Sequence, residues 1–215
     1  MNQGRYLPDP AKGIEASAEY AEGYAASHRV PPGWDYKQDY IHLLVIDALL
    51  SDYVLLHVGC GTGGFFRLAR NHKKIIGLDF SKAMIDKARD LAKELGLKRV
   101  EFVYRKFEDY EPSELFDAVN LSGSIGWYVP WTGKEPVLEK TRAMLKPGGL
   151  AVLSFIKPRG WFQHLKAALF PGKTVLIREK RFFGMIQKAG FERLFSIDSG
   201  KNVYVFCRAG VSGAN

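Results

Sequence analysis

The amino-acid sequence predicts an α/β fold: a doubly wound, mostly parallel seven-stranded sheet that ends in an antiparallel hairpin and carries an N-terminal helical cap. From Tyr53 onward, short apolar segments alternate with helical segments. This is the pattern of a parallel sheet covered by helices on both faces. The last two apolar segments are separated by a four-residue turn, a spacing typical of a hairpin.

The helical cap, or lid, is predicted at residues 1–50. Residues 14–28 read IEASAEYAEGYAASH, in which Ala and Glu favour a helix and Tyr20 and Tyr24 lie four residues apart on one face. The prolines and glycine of VPPGWD cannot continue this helix. A second helix is predicted from about residue 35 to residue 50, where apolar residues recur with helical spacing.

Residues 51–210 are predicted to form one compact domain, followed by a tail at 211–215. The five parallel strands are predicted at 54–58, 74–78, 100–104, 116–121 and 150–156. The helix at 81–95 begins with Ser81, a residue that caps helices, and ends at Gly96. A helix at 178–189 precedes the hairpin strands, which read FERLFSID and VYVFCRA.

Composition is that of a globular protein. With 215 residues and 47% hydrophobic content, the chain can bury one substantial core. No apolar run approaches the ~20 residues that span a bilayer, and MNQGRYLPDP lacks the apolar core of a signal peptide, so a cytoplasmic protein is expected. Cys60 and Cys207 have the spacing of neither metal ligands nor a disulfide framework. We expect two reduced, packed thiols and no metal site.

The net charge of +8 is concentrated near the end of the chain. Residues 157–208 contain eleven Lys and Arg against three Asp and Glu, so the rest of the chain is balanced. One interpretation is a solvated basic face that keeps the protein soluble. The other is a surface that attracts an anionic substrate, nucleic acid or a membrane surface.

A glycine-rich turn, HVGCGTGG, follows the first predicted strand. Gly59, Gly61 and Gly64 satisfy the pattern G-x-G-x-x-G, and Asp79 lies twenty residues after Gly59 at the end of the second strand. Such a turn offers backbone N–H groups to a ligand, and a carboxylate after the next strand can bind two ribose hydroxyls. A purely structural turn would not need four glycines in six residues. Several nucleoside cofactors share this recognition.

Five segments in order carry a family resemblance: HVGCGTGG, GLDFSKAMIDKAR, FDAVNLSGSIGW, MLKPGGLAVLSF and IQKAGFERL. Together they resemble the motifs of the class I S-adenosylmethionine-dependent methyltransferases, over about residues 53–208. The resemblance implies a Rossmann-like fold, S-adenosyl-L-methionine as cofactor, and methyl transfer by direct displacement. A nicotinamide oxidoreductase would have further βα units after the loop, whereas this chain closes with a KPGG turn, a strand and a hairpin.

The resemblance also implies which residues bind the cofactor. Gly59, Gly61 and Gly63 would form the loop below the methionine part, and Asp79 would accept hydrogen bonds from the ribose hydroxyls. The other implied cofactor residues are His57 and Cys60 in the glycine motif, Phe80 and Met84 beside the adenine, Phe107 and Glu108 at its edge, and Asn120 and Leu121 at the methionine amino group.

Two positions depart from the family pattern. Most relatives have Asp or Glu in place of His57, and Asp in place of Lys106. The cofactor carries a net positive charge, so the loss of carboxylates weakens its attraction. A buried imidazole would stay neutral and could still accept a hydrogen bond, and Glu108 could replace the missing acid if Lys106 points outward. The alternative is a site with degenerate cofactor binding.

Aromatic residues are the candidates for binding the methyl acceptor. In the resembling family, aromatic residues of the first helix often close over the cofactor, and this chain offers Tyr20 and Tyr24, which could equally pack against the domain. The loop SGSIGWYVPW adds Trp127, Tyr128 and Trp131. The insert KPRGWFQHLKAALF places Trp161, Phe162, Leu165 and Leu169 on one apolar face with basic neighbours. This insert is either a core-packing helix or a lid that contacts substrate or a membrane surface.

No motif specifies the acceptor. A base is needed only if the acceptor must lose a proton, and His28 and His164 are the candidates for that role. The leading expectation is a methyltransferase that acts on a small molecule. The alternatives are a methyltransferase with an anionic acceptor, either RNA or a lipid headgroup, and a non-catalytic methyltransferase-like binding protein.

Overall fold

The computed structural model describes residues 15–27, 41–124, 131, 133–170, 175–200 and 202–210, with the backbone alone at Ser27 and Phe65. The strands are β1 Tyr53–Val58, β2 His72–Asp79, β3 Val100–Tyr104, β4 Phe116–Asn120, β5 Leu145–Phe155, β6 Phe191–Asp198 and β7 Val203–Ala209. The helices are α1 Ala18–Ser27, α2 Ile41–Leu49, a short 3₁₀ helix at Gly64–Leu68, α3 Lys82–Glu94, α4 Glu135–Ala143, α5 Gly160–Leu169 and α6 Glu179–Lys188.

The seven strands have the order β3-β2-β1-β4-β5-β7-β6. β1 pairs with β2, β2 with β3 and β4 with β5 in parallel, whereas β7 is antiparallel to both β5 and β6. The predicted fold class is therefore confirmed, including the final hairpin. The contacts between residues divide the chain into two compact units, residues 1–111 and 112–215.

In the first unit, strand β1 and helix α3 follow from their apolar patterns. All six residues of β1, YVLLHV, are buried, as expected for a strand covered on both faces. Helix α3 buries Met84, Ile85, Ala88 and Leu91 at helical spacing. The Ser81 side chain caps this helix by accepting a hydrogen bond from the Met84 N–H at 3.4 Å, and Gly96 follows its end with φ of 62°. Both predicted ends of α3 are confirmed.

Helix α2 is fixed to the start of the sheet by one carboxylate. Asp47 Oδ1 accepts hydrogen bonds from the Tyr53 hydroxyl at 2.9 Å and from the backbone N–H groups of Arg70 and Asn71 at 2.9 and 2.8 Å. Burial and this bond to Asp47 raise the pKa of Tyr53, so its hydroxyl remains a donor. α2 is the described part of the second predicted helix, and it packs at the start of the sheet as predicted. Residues 35–40 of that predicted helix lie outside the described residues.

In the second unit, the core forms around β5 and β7. Trp131 is fully buried, donates its indole N–H to the Ser154 backbone oxygen at 3.1 Å, and packs edge-on against Phe182 with ring centroids 5.1 Å apart. Phe155 packs on the same Phe182 ring at 4.5 Å. Trp131 was expected among the residues of a substrate pocket, and that expectation is wrong, because the side chain belongs to the core of this unit.

The starts of β5 and α1 differ from those predicted. β5 begins at Leu145 rather than 150, so the KPGG segment lies inside the strand. The register between β4 and β5 shifts there, and Gly148 has φ of 74°, so the predicted turn is present as an irregularity within the strand. α1 begins at Ala18, later than the predicted residue 14. Among the described residues, no helix is long and apolar enough to cross a membrane.

The buried position of Trp131 can be tested by making the same substitution there and at the exposed Trp161. Trp131→Phe removes the hydrogen bond to Ser154 and part of the packing against Phe182, so we expect the free energy of unfolding to fall by about 1–3 kcal/mol. Trp161→Phe changes a surface side chain and should alter it by less than about 0.5 kcal/mol. Urea denaturation of the three proteins measures both values, and equal losses would contradict this assignment of the core.

Candidate functional site

The glycine loop that follows β1 turns sharply over the end of β2. The N–H groups of Gly59 and Cys60 both donate to the Leu78 backbone oxygen, at 2.7 and 3.0 Å. Gly59, Gly61 and Gly63 have φ values of 70°, 54° and 62°, a region that residues with a side chain rarely adopt. The three glycines assigned to the loop from the sequence are therefore the ones that its backbone requires.

Side chains press closely on this loop from two directions. A Cβ atom added to Gly61 would lie 3.1 Å from Cε1 of Tyr24, and one added to Gly63 would lie 2.6 Å from Cε1 of Phe102. Helix α1 therefore places Tyr24 directly on the loop, while β3 supports the loop from below. The lack of side chains at both glycines lets these aromatic rings make contact with the backbone.

Asp79 joins the glycine loop to the start of α3. Its Oδ2 accepts a hydrogen bond from the Gly61 N–H at 2.9 Å, and its Oδ1 accepts one from the Ser81 N–H at 2.9 Å. The Phe80 N–H also interacts with the carboxylate, and since two carboxylate oxygens have about four acceptor positions together, the group can still accept from a ligand. The carboxylate thus orders the loop and still offers acceptors to a ligand.

Burial raises the pKa of Asp79 from 3.8 to about 6. The backbone N–H groups of Ser81, Gly61 and Phe80 act in the opposite direction, because donors stabilise the ionised form, and the nearby Glu15 raises the pKa further. Above pH 6 the side chain is therefore an ionised, largely dehydrated carboxylate. Such a group is suited to bind hydroxyl donors and to attract a cation.

Glu15 is a second acid at the same helix start, and sequence reasoning did not select it. Its carboxylate accepts hydrogen bonds from the Lys82 backbone N–H at 3.1 Å and from the Tyr104 hydroxyl at 2.7 Å. In the sequence it is one acid in an Ala- and Glu-rich segment, so no local signal separates it from a surface residue. The structure places it beside the N-terminus of α3, where a negative charge is stabilised.

The predicted aromatic lid lies on α3. Tyr20 and Tyr24 pack with Met84 in one apolar cluster, and their ring centroids are 6.1 Å apart. Glu22 forms an ion pair with Lys87 at 2.7 Å, which adds a second link between α1 and α3. Burial raises the pKa of the Tyr20 hydroxyl, so that residue is a hydrogen-bond donor rather than a base.

His57 is buried among aromatic side chains. Its ring centroid lies 5.6 Å from that of His42 on α2 and 5.3 Å from that of Phe66, which it meets edge-on. Burial, with a smaller contribution from His42, lowers the pKa of His57 well below 6.5. The neutral imidazole expected from the sequence is thus what the structure shows. Where the family resemblance implies an acid, this chain has an uncharged ring.

Cys60 has a packing role within the loop. Its thiol is buried and donates to the Gly61 backbone oxygen at 3.5 Å. Burial and the proximity of Asp79 raise its pKa well above 9, so the sulfur is not an activated nucleophile. Cys207 is also buried and unbridged, as expected. Among the residues described here, no group of acids, histidines and cysteines could hold a metal ion.

The remaining predicted cofactor residues are distributed over both units. In the first unit, Phe80 follows β2, Phe107 is buried, and both Glu108 and Lys106 are exposed. Lys106 thus points outward, as one interpretation of the sequence required.

In the second unit, the Asn120 side chain accepts hydrogen bonds from the Ser122 N–H at 2.9 Å and hydroxyl at 2.6 Å. The Leu121 N–H donates to Val152 and its carbonyl accepts from the Ser124 hydroxyl. These two residues order the turn after β4, and their cofactor role stays a prediction.

The predicted substrate-binding and base residues differ in whether the structure describes them and where they lie. His28, Trp127 and Tyr128 lie outside the described residues. Trp161 and His164 lie on α5, where both side chains are exposed. The alternative in which α5 packs into the core is wrong, since its large apolar side chains face solvent.

Comparisons with known proteins find similarity to methyltransferases in both sequence and fold. Residues 55–149 match the family described as "Methyltransferase domain". The resemblance to class I methyltransferases is confirmed. The fold is similar to the crystal structure of the N-methyltransferase NodS from Bradyrhizobium japonicum WM9 in complex with S-adenosyl-L-homocysteine. That likeness has a TM-score of 0.64 at 14% identity and covers 89% of this chain and 97% of that one.

Two curated proteins share sequence with part of the chain. Over 110 residues it is 26% identical to malonyl-[acyl-carrier protein] O-methyltransferase 2 of Ilyobacter polytropus, covering 51% of this chain and 41% of that protein. Over 111 residues it is 30% identical to an uncharacterized protein of Rickettsia prowazekii, covering 50% of this chain and 20% of that protein. The chain therefore spans less than half the length of either relative.

The buried carboxylate of Asp79 should leave a signature in the pH dependence of stability. Its pKa is about 6 in the folded protein and 3.8 when solvated, so its contribution to stability is complete below pH 3.8 and is lost as the pH rises through 6. Relative to Asp79→Asn, we therefore expect the unfolding free energy of the natural protein to fall by up to about 3 kcal/mol between pH 4 and pH 7. Urea titrations of both proteins at several pH values measure this difference. A difference that is constant with pH would contradict the raised pKa.

Proposed function

We propose that the chain binds S-adenosyl-L-methionine at the loop of residues 59–63 and catalyses methyl transfer to a small-molecule acceptor. The observation that carries the proposal is the position of Asp79, whose ionised carboxylate is fixed beside the glycine loop by the N–H groups of Gly61 and Ser81. The matched methyltransferase domain and the fold shared with a protein that holds S-adenosyl-L-homocysteine support it.

The residues of the site fit the adenosine part of this cofactor. The acceptor capacity that remains on the Asp79 carboxylate can take a hydrogen bond from the ribose hydroxyls, and such bonds to a charged acceptor are strong. The adenine would lie near Phe80, Met84 and Phe107, and the methionine part would lie along the loop. When bound, the cofactor supplies an electrophilic methyl group on a positively charged sulfur.

The electrostatics of the site also fit a cationic cofactor. Asp79 and Glu15 are two carboxylates at the start of α3, and both would attract the sulfonium and ammonium charges. His57, being neutral, adds no repulsion. In this proposal Glu15 contributes the acidity that the glycine motif lacks, so His57 does not disable the site.

The lid residues would position the reactants and exclude water. Tyr24 contacts the loop at Gly61, and Tyr20 and Met84 complete the apolar cluster. A site covered in this way orients the acceptor toward the methyl group and keeps solvent away, which accounts for much of the rate of such reactions. Tyr20 and Tyr24 are the acceptor contacts we propose within the first unit. His28 and His164 remain the candidates for a base.

Asp79→Asn is the direct test of the cofactor site. The substitution removes the charge while keeping the size, so we expect the Kd for S-adenosylmethionine to rise about 10- to 100-fold. Isothermal titration calorimetry at pH 7.5 measures it. Asp90→Asn, at an exposed position of α3, is the matched control and should bind normally. NADH should bind neither protein, and tight NADH binding would indicate a different cofactor.

The same titration should depend on pH. Because the ionised form of Asp79 is the acceptor, affinity for S-adenosylmethionine should be constant above pH 7 and weaken as the pH falls through about 6. Asp79→Asn should bind weakly with little change over this range. A natural protein whose affinity is equally flat from pH 5 to pH 8 would exclude Asp79 as the ribose ligand.

His57→Asp decides between the two interpretations of the histidine. The new carboxylate would be buried beside His42 and Phe66, so we expect a loss of about 1–3 kcal/mol in unfolding free energy and a Kd for S-adenosylmethionine within about threefold of the natural value. Thermal denaturation and calorimetry give both quantities. If the natural protein fails to bind and His57→Asp binds, the histidine has disabled the site and the chain is a non-catalytic relative.

A further inference from the structure

Helix α5 presents its apolar side to solvent. The exposed fractions are 78% for Trp161, 65% for Phe162, 44% for Leu165 and 61% for Leu169. Ala167 is the one buried residue of this helix. At about 100° per residue, these four side chains occupy one arc, and Ala167 lies nearly opposite its centre. The helix therefore packs on its own unit through a narrow side and directs this arc, the α5 face, away from the protein.

This orientation is the reverse of that found in α3 and α6. Those helices bury their apolar stripes, in α6 through Phe182, Met185 and Ile186, as surface helices of globular proteins do. In α5, Trp161 and Phe162 meet edge-on with ring centroids 5.9 Å apart, and Phe170 extends the exposed surface beyond the helix end. A contiguous aromatic and aliphatic patch of this kind marks an interaction surface.

Exposed basic residues precede and follow α5 along the chain, and one lies on the helix. Residues 157–181 contain seven Lys and Arg and one acid, Glu179. Lys166 on the helix and Arg178 and Lys180 after it are exposed. Lys157 and Arg159 share the single carboxylate of Asp198. These three residues together therefore keep a net positive charge. We call Lys157, Arg159, Lys166 and Arg178 the basic rim.

We propose that the α5 face docks on an anionic lipid bilayer, with Trp161, Phe162, Leu165 and Leu169 in the interfacial region and the basic rim at the headgroups. An interfacial helix combines this set of aromatic and aliphatic side chains with Lys and Arg at its polar side. Negative headgroups attract such a cluster over a Debye length. The α5 face and the rim meet both requirements within about three turns of helix.

The charge of the rim argues against two other occupants. In a symmetric dimer the α5 faces would pack together and bring two basic rims into contact, which like-charge repulsion opposes. Nucleic acid would be attracted by the rim and could stack on Trp161 and Phe162, but Leu165 and Leu169 would contact nothing apolar on it. A bilayer accommodates all four side chains and the rim together. The inference is separate from methyl transfer and needs no cofactor.

Vesicle binding by the full chain tests the proposal. We expect co-flotation with vesicles of phosphatidylglycerol and phosphatidylcholine, little binding to phosphatidylcholine alone, and a blue shift of tryptophan emission. The double substitution Leu165→Ser with Leu169→Ser should lower the affinity at least about tenfold. The matched control, Leu49→Ser with Leu115→Ser, removes two leucines that are 50% and 45% exposed elsewhere and should bind as the natural protein does.

The contribution of the rim is tested by Lys166→Glu, which should weaken binding several-fold at low salt and less at high salt. Urea denaturation and circular dichroism show that each variant is folded. Equal loss in the two leucine pairs, or equal binding to neutral and anionic vesicles, would overturn the proposal. So would a dimer in light scattering that is lost in the Leu165 and Leu169 variant, since the face would then hold a second copy.

Discussion

The organisation of the first unit depends on one desolvated carboxylate. Asp79 accepts hydrogen bonds from Gly61 in the loop and from Ser81 at the start of α3, so two segments separated along the chain share one anionic centre. Ser81 in turn caps α3 through Met84, the residue on which the tyrosines of α1 pack. The glycine loop, α3 and α1 are therefore ordered by a group whose burial is itself unfavourable. A ligand that donates to the carboxylate would relieve part of that cost.

Much of this arrangement is predictable from the sequence, because it rests on local rules. Positive φ angles require glycine, so the loop residues are visible as Gly59, Gly61 and Gly63. Buried strands are apolar throughout, and the hairpin strands β6 and β7 have the bounds expected from their turn. Five motifs in order also indicated the family resemblance, which the matched domain confirmed. The cofactor roles of the individual residues remain predictions.

The features that the sequence did not reveal depend on long-range contacts. Glu15 contacts Lys82 and Tyr104, residues far along the chain. No local sequence pattern predicts contacts between residues so far apart. Trp131 and Trp161 look alike as aromatic residues in Gly- and Pro-containing segments, yet one is buried against Phe182 and the other faces solvent. Periodicity identifies the apolar side of a helix but not whether that side faces inward, which is why α5 left two interpretations open.

The outer strand β6 restricts how other chains can approach the second unit. It lies at one end of the strand order and pairs with β7 on its other side. Its exposed residues include Glu192 and Arg193, and its register is irregular between Arg193 and Phe195. Charges and bulges of this kind discourage an added strand from a foreign chain. The sequence of this strand thus resists edge-to-edge aggregation.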